Sequence, residues 1–436
     1  MNLFNTLNSL LVITSYPNPK NNKYGKRDLN AVAWHSEKTL KELAKNRRVI
    51  VLAEKAHKDD QSFYGGKNIF VDRIWSKNNH FSMFSIAWEA LKLNYVKTIY
   101  IPFEFNVFGG TFHNLLFLIV LLILRLNGKN ITIEVHQVIE DIKKLEKHIN
   151  ITNLYVQKFF NFGLKIFYFL FGVLANNIIV FEEELKTRLK KYINENKVNV
   201  LSLSVQKSQV TNKNYARKKL SLPKKDFLVM VFGYINGYKG IDYMTEAFSK
   251  IRNKNIRLII AGGENPYLRN KKFYQKFYQK ITQAAKINKN TILTGFVPDN
   301  KVGLYFSSAD LIVLPYEVFM SASGPFSLAL SYGKPMILSN KLISYKQSND
   351  FKLSLEQTGL KSQEIFFPLK KEAILSLIKK IKNDQELTKK LTLFSKNLAE
   401  KRNSEKVIDQ YEKILLPNLD LGFVEAKRKK LKLIYN

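Results

Sequence analysis

The 436-residue chain contains no cysteine. Disulfides, thiolate nucleophiles, iron–sulfur clusters and cysteine-ligated zinc are therefore excluded. Histidine is scarce. The six, at 35, 57, 80, 113, 136 and 148, form no H-x-x-x-H or H-E-x-x-H pair, so their spacing carries no zinc signature. Acidic residues are few as well: 36 Asp and Glu stand against 70 Lys and Arg, a formal net charge of +34. That excess points to a polyanionic neighbour, whether a phosphate-bearing substrate, nucleic acid or an acidic membrane. An AT-rich coding sequence, which inflates Lys and Asn, gives the same bias. Long apolar runs are missing too. The longest, LLFLIVLLIL at 115–124, is closed by Arg125. Ten helical residues make ~15 Å, half a bilayer, so no spanning helix is expected. The first residues, MNLFNTLNSLLVITSYPNP, lack a basic n-region and a small-residue cleavage site and read as a first strand rather than a leader.

The composition that remains, 45% hydrophobic and 24% charged, is globular, and the length suits two or three domains. Short apolar runs at 10–14, 48–52, 98–101, 131–135 and 177–181 alternate with helical stretches at 33–45, 81–93 and 113–126. That alternation predicts a doubly wound parallel α/β sheet. The polar, basic stretch KSQVTNKNYARKKLSLPKK at 207–225 reads as a linker. A second α/β series follows, with strands at 227–232, 257–261, 291–293, 311–314 and 335–338. Helices are expected at 371–383, 385–400 and 404–415, then a basic tail, KRKKLK, at 427–432. Ligands of open parallel sheets sit beyond the carboxyl ends of the strands, so functional residues are expected in the loops there.

Four such loops carry chemistry. FGYINGYKG at 232–240 combines Gly233, Gly237 and Gly240 with Lys239 at a helix start, a plausible diphosphate cradle, though it also reads as an ordinary glycine-rich turn. LPYEVFMSASGP at 314–325 places Ser321, Ser323, Gly324 and Pro325 before another helix, as anion ligands or simple caps. Its Glu317 suits sugar hydroxyls or a surface salt bridge. His136 ends the strand ITIEV, where it would donate a hydrogen bond or shuttle a proton, or be structural. YIPFEFNVFGG at 100–110 offers Glu104, Gly109 and Gly110 to an acceptor pocket, or merely leads into the next helix. The repeat FYQKFYQK at 273–280 stacks its aromatics on one helical stripe, as an amphipathic core face does.

The second half resembles the group 1 family of retaining GT-B glycosyltransferases. The resembling segments are FGYINGYKGIDYMTEAF at 232–248, RLIIAGG at 257–263, TILTGFVPDN at 291–300, FSSADLIVLPYE at 306–317 and SASGPFSLALSYGKPMILS at 321–339. The first half is similar more weakly, through SYPNP at 15–19, which contains Tyr16, EFNVFGG at 104–110, EVHQV around His136 and IIVFEEELKTRL at 178–189. The resemblance implies two Rossmann-like domains facing a cleft. Residues 1–206, completed by a C-terminal helix at about 404–436, would bind the acceptor; 226–403 would bind the nucleotide sugar. It implies Lys239 as phosphate-binding lysine, Gly295, Phe296 and Val297 as the loop against the base, His136 beside the donor sugar, and the helix start at Ser323, Gly324 and Pro325 under the diphosphate. No metal and no cofactor is implied, only a donor, UDP- or GDP-linked. Two departures stand out. Tyr234 occupies the place of a frequent Arg, and Met320 and Leu328 occupy the places of two Glu that many members carry, so the family's ribose contact has no side chain here.

The reaction expected is sugar transfer from a nucleotide diphosphate sugar to the hydroxyl of a glycan or lipid-linked acceptor in surface polysaccharide or glycoconjugate synthesis. The charge left over predicts an anionic membrane surface as partner, and a cytoplasmic protein peripheral on the inner face of the membrane, with apolar segments at 108–124 and 159–174 inserting shallowly. Nucleic acid is not expected as a partner, because no RNP, helix-turn-helix or zinc-finger pattern occurs. The alternative is a non-catalytic partner or scaffold on the same fold.

Overall fold

A strand buried on both faces must be largely apolar, and the central strands of the two sheets, Ser9–Thr14, Thr98–Phe103, Phe227–Phe232 and Leu311–Leu314, are. In β1 (Ser9–Thr14), Leu11 and Ile13 face one core while Leu10 and Val12 face the other. The computed structural model describes residues 9–18, 31–57, 59–251, 253 and 255–416. The basic stretch KNNKYGKR at 20–27, the basic tail at 427–432 and the part of the expected C-terminal helix beyond 416 lie outside the described residues.

The first sheet comprises β1, β2 (Arg48–Glu54), β3 (Phe63–Gly66), β4 (Ile69–Trp75), β5 (Thr98–Phe103), β6 (Asn130–Val135), β7 (Asn177–Val180) and β8 (Val198–Val200). Their order is β3-β4-β2-β1-β5-β6-β7-β8, parallel except for the β3–β4 edge pair. The second comprises β9 (Phe227–Phe232), β10 (Ile256–Ala261), β11 (Thr291–Leu293), β12 (Leu311–Leu314), β13 (Met336–Ser339) and β14 (Phe366–Phe367), all parallel in the order β11-β10-β9-β12-β13-β14. Strand order reverses between β1 and β5 and between β9 and β12. At those switch points the loops after the strands diverge and leave a crevice. The loops after β5, β6, β9 and β12 thereby come to line one cleft.

Two features differ from the sequence reading. The 207–225 stretch is not a plain linker, because it carries the helix Lys213–Lys219. That helix has no apolar stripe to betray it. Asn212 caps it, and the buried Arg217 guanidinium binds the Asp310 carboxylate and the carbonyls of Ser308, Lys224 and Asp226. The β3–β4 hairpin, unanticipated, sits at a sheet edge.

The chain crosses between the sheets twice, at 201–208 and around 402, where Val205 pairs with Asn403. The helix Ser404–Leu415 then returns to the first sheet. Its Val407, Ile408, Tyr411 and Leu415 join the core formed by Leu10, Val12, Val49 and Val51. Arg402 clamps the crossing. Its fully buried guanidinium binds Glu182 (2.7 Å) on one side and Asp350 (2.7 Å) on the other.

Candidate functional site

At the carboxyl end of β9 the chain turns through Gly233 and enters a helix at Gly240. Both glycines have positive φ, 99° and 64°. A Cβ on Gly240 would lie 1.9 Å from the Pro315 carbonyl oxygen, and one on Gly233 would lie 2.7 Å from Lys239 Nζ. Only glycine permits this turn. The turn seats Lys239 in a recess shared with Phe232, Tyr316 and Pro325, at the ends of β9 and β12. Lys239 is 8% exposed, and among the described residues its ammonium has no hydrogen-bond or salt-bridge partner. Burial pushes its pKa down to about 8. Burial first, and then the nearby Lys239 charge, push His148 down to about 4. A buried, uncompensated cation beside a helix start is an anion site in waiting.

A second helix start meets the recess at Pro325: the helix Gly324–Ser331 is capped by Ser323, whose hydroxyl accepts from the Phe326 amide (3.3 Å), while Pro325 stands in its first turn. Ser323 also bonds the Tyr316 hydroxyl (3.0 Å). The capping reading of Ser323 therefore holds. Pro325 has no amide hydrogen, and the Phe326 and Ser327 amides are given to the Ser323 hydroxyl and carbonyl, so among the described residues the Gly324 amide is the first-turn donor left open at the helix start.

Across the cleft, His136 follows β6. Its Nε2 lies 2.7 Å from Glu134 Oε1, and His35 Nε2 lies 3.1 Å from the same oxygen. Glu134 Oε2 accepts the hydroxyls of Tyr100 (2.6 Å) and Tyr411. Burial alone would raise the Glu134 carboxyl, but His35 and His136 hold it well below the usual carboxylate range. An ionised carboxylate only accepts, so His136 must donate through Nε2. Burial also lowers the His136 pKa, against the pull of Glu134. The imidazole is then neutral and its Nδ1 carries no proton. His35, Glu134 and His136 place three metal-capable atoms within 4.8 Å of one another, a grouping invisible to sequence spacing. Glu134 accepts from His136, Tyr100 and Tyr411 and makes an ion-pair contact with His35, so both of its oxygens are engaged.

His136 lines a cavity of about 340 Å³ together with Glu104, Ser321, Gly324 and Leu328. Four expected residues thus meet there, two from each half. Glu104 is half-buried, its carboxyl raised by burial and only partly offset by Lys77, with no hydrogen bond or ion pair among the described residues. A second cavity of about 670 Å³ is lined by Lys147, His148, Arg188, Gly237, Glu317 and Lys341. Between the two cavities the halves touch: Gln137 pairs with Ser321 in an isolated antiparallel bridge. Lys147 grips both Glu317 oxygens, at 3.0 and 2.7 Å. The salt-bridge reading of Glu317 is therefore the observed one, and the exposed bridge joins the two halves across the cleft mouth.

Some expected residues lie elsewhere. Tyr16 is buried beside Phe63 and Gly65, its carbonyl bound by Arg73, and lines no cavity described. Gly109 and Gly110 serve the start of the helix Thr111–Leu126, where Gly109 lies over the His113 ring. Gly295, Phe296 and Val297 follow β11. Phe296 is exposed and stacks on Tyr234, centroids 6.3 Å apart, so the aromatic that replaces the frequent Arg pairs with this loop. Sequence reasoning missed His35, Glu134, Lys147 and Arg402. For Glu134 the signal was present: Glu and His two apart on one strand share a face.

Comparison with known proteins agrees with this geometry. Residues 212–392 match the family described as "Glycosyl transferases group 1". A 128-residue stretch is 27% identical to the lipopolysaccharide 1,2-N-acetylglucosaminetransferase of Salmonella typhimurium; it covers 29% of this chain and 33% of that protein, so the match spans a third of the relative. Among solved structures, sucrose-phosphate synthase from Thermosynechococcus elongatus is similar at a TM-score of 0.67 and 14% identity, covering 93% of this chain and 98% of its own. HepE from Anabaena, in complex with UDP and glucose, is similar at a TM-score of 0.63 and 12% identity, covering 93% and 99%. The fold is that of the GT-B glycosyltransferases: two parallel-sheet domains about a cleft.

Proposed function

We propose that this chain, whose residues 212–392 match the group 1 glycosyltransferases, is a retaining, metal-independent glycosyltransferase. It moves a sugar from a UDP- or GDP-linked donor to a hydroxyl of a glycan or lipid-linked acceptor in surface polysaccharide or glycoconjugate synthesis. The observation that carries this reading is the partnerless Lys239 ammonium in its recess beside the helix Gly324–Ser331. A diphosphate would neutralise that charge, and the helix N-terminus would share the leaving-group charge as the glycosidic bond to phosphate breaks.

No carboxylate stands out as nucleophile. Glu134 is covered by four partners. A front-face path follows: the bond from the anomeric carbon to the phosphate oxygen breaks, the acceptor oxygen bonds to that carbon on the same face, and the acceptor proton passes to the departing phosphate. The transition state is oxocarbenium-like. His136 Nδ1 accepts a hydrogen bond from a donor-sugar hydroxyl. Glu104 accepts from the acceptor hydroxyl and orients it. Glu317 and Lys147 hold the cleft closed against water. Tyr234 and Phe296 offer the base an aromatic edge. With +34 formal charges, the protein works in the cytoplasm at the inner face of an anionic membrane.

A second reading, a non-catalytic partner on the same fold, is favoured by Met320 and Leu328 where many members carry Glu. A transfer assay decides: purified protein, UDP- and GDP-sugars and a lipid-linked glycan extract, with the anomeric configuration of the product read by NMR. Retained configuration supports the proposal. Inversion refutes the front-face path, and absence of product with every donor favours the non-catalytic reading.

A further inference from the structure

A helix packed on a sheet needs one apolar stripe; two adjacent helices of the first domain have two each. In Thr111–Leu126 the inner stripe is buried, through Phe117, Val120, Leu121 and Leu124 among others. The outer stripe is Phe112, Leu115, Ile119, Leu122 and Leu126, all exposed. Its steps of 3, 4, 3 and 4 residues set it along one line of the helix. Leu154–Leu174 repeats the pattern, with Tyr155, Phe159, Phe162, Ile166, Phe169 and Val173 exposed at steps of 4, 3, 4, 3 and 4. In its first three turns Gln157 alone is buried. These two helices pack against each other, and Ser82–Lys92, which packs on the first of them, adds the exposed Phe84 and Trp88.

A helix that is apolar all round is buried in something. A monomer rarely leaves so continuous a patch to water. No helix among the described residues is long and apolar enough to cross a membrane. The two striped helices carry charge of one sign, and the acid of the neighbouring Ser82–Lys92, Glu89, is paired with Lys92 (2.8 Å). Residues 105–133 and 147–181 contain no Asp or Glu, while Arg125, Lys158 and Lys165 stand exposed at the stripes. Another copy of this chain would bring the same basic patch against it, and repel. An anionic surface matches both the apolar stripe and the rim.

We propose that the outer face of the helices Thr111–Leu126 and Leu154–Leu174 is the docking surface by which this protein lies on an anionic bilayer. The aromatic and aliphatic stripes enter the interface, and the lysines contact the headgroups. The proposal deepens the membrane part of the function above by assigning its surface. It also orients the cleft. The segment 141–149 precedes the second helix and is tied to it by Asn161, which bonds the Asp141 carboxylate (3.0 Å) and the Ile142 amide (2.9 Å). Lys144, Lys147 and His148 of that segment line the 670 Å³ cavity. Docking therefore brings this mouth of the cleft to headgroup level, where a lipid-linked acceptor presents its sugar end.

Flotation of the full chain with phosphatidylglycerol–phosphatidylcholine vesicles, against pure phosphatidylcholine, tests this. The wild type is expected to float with the anionic vesicles at low salt and to be released at high salt. The double variant Phe159→Glu/Phe162→Glu is expected to stay unbound, and Lys158→Glu/Lys165→Glu to lose affinity about tenfold or more. Ile287→Glu, at an exposed site on another helix, is expected to float like the wild type. Because all these side chains are exposed, melting curves should match, and a fold defect would show there. Of the three tryptophans, Trp75 is buried, Trp34 lines the 340 Å³ cavity and Trp88 is exposed on the docking face, so quenching of emission by brominated lipid is expected in the wild type and is expected to be lost in Trp88→Phe. Wild-type protein that ignores anionic vesicles, or an F159E/F162E variant that floats unchanged, overturns the proposal. So does a dimer in ultracentrifugation that F159E/F162E dissociates. Nucleotide-sugar thermal shifts run on the same samples keep the catalytic reading separate: they persist in every variant if the docking face alone is at fault.

Discussion

The Tyr411 hydroxyl, on the last described helix, donates to the Glu134 carboxylate, on the sixth strand of the first domain. Residues 277 apart thereby share one buried charge. Glu134 also fixes His136 at the cavity, so the returning helix and the site chemistry meet in one carboxylate. Glu134→Gln should break both functions. The amide has no charge to hold its four partners, and loss of a buried charge partner costs ~3 kcal/mol or more. Proton-detected ¹⁵N spectra should show the His136 tautomer scrambled. Tyr411→Phe should leave the tautomer intact and cost ~1–2 kcal/mol. An unchanged His136 spectrum in E134Q would refute the positioning role.

The same cluster makes the fold acid-sensitive. Glu134 and His136 both have folded values below their unfolded ones. The unfolded chain therefore binds more protons on the acid side, and stability falls as pH falls, first below ~6.5 through His136 and then below ~4.3 through Glu134. Thermal melts across that range should show the decline, and His136→Gln should flatten its upper part. A melting temperature that rises on acidification contradicts it.

Lys239 carries a signed trade-off. Burial lowers its pKa to about 8, so at neutral pH the folded state holds a charge at a cost. Lys239→Met should raise stability by about 1–3 kcal/mol while weakening nucleotide binding. In the wild type, donor affinity should fall as pH rises through about 8, because only the ammonium attracts diphosphate. Calorimetric titration at pH 7 and 9 checks the sign. Tighter binding at the higher pH would refute it.

Glu317 distinguishes a strut from a sugar ligand. Its partner Lys147 is more than half exposed, so the bridge should be worth ~0.5–1 kcal/mol in a double-mutant cycle. As a strut, Glu317→Gln should lower turnover only a few-fold. A fall of ~10²-fold, with kcat rather than KM affected, would instead place Glu317 on the donor sugar.

Arg402 holds the crossing. Arg402→Ala leaves the buried Glu182 and the partly buried Asp350 without their cation, which should cost ~3–5 kcal/mol. Small-angle scattering should then show a larger radius of gyration at temperatures where both domains remain folded. An unchanged radius and melting point would deny the clamp.

The ten principal strands were legible because parallel strands buried on both faces stand out as apolar runs such as SLLVIT and FLVMVF. The helix Lys213–Lys219 was not, since a buried arginine and an asparagine cap hold it where an apolar stripe usually would. Among the expected site residues, Lys239 and His136 stand where the loops after β9 and β6 were expected to put them. Tyr16 does not reach a cavity, because its side chain turns under the β3–β4 hairpin, an edge element that the sequence pattern did not reveal. The Glu134 cluster joins residues 35, 134, 136 and 411, and no local spacing encodes contacts of that separation.

The most direct test is a thermal-shift titration of the full chain with UDP-, GDP-, ADP- and CMP-sugars, beside Lys239→Ala. A ligand at ~100 times its dissociation constant adds ~2.7 kcal/mol. Stabilisation by a UDP- or GDP-sugar that disappears in K239A is the predicted result. A panel in which no nucleotide sugar stabilises the wild type, or in which K239A responds as strongly, would contradict donor binding at the Lys239 recess.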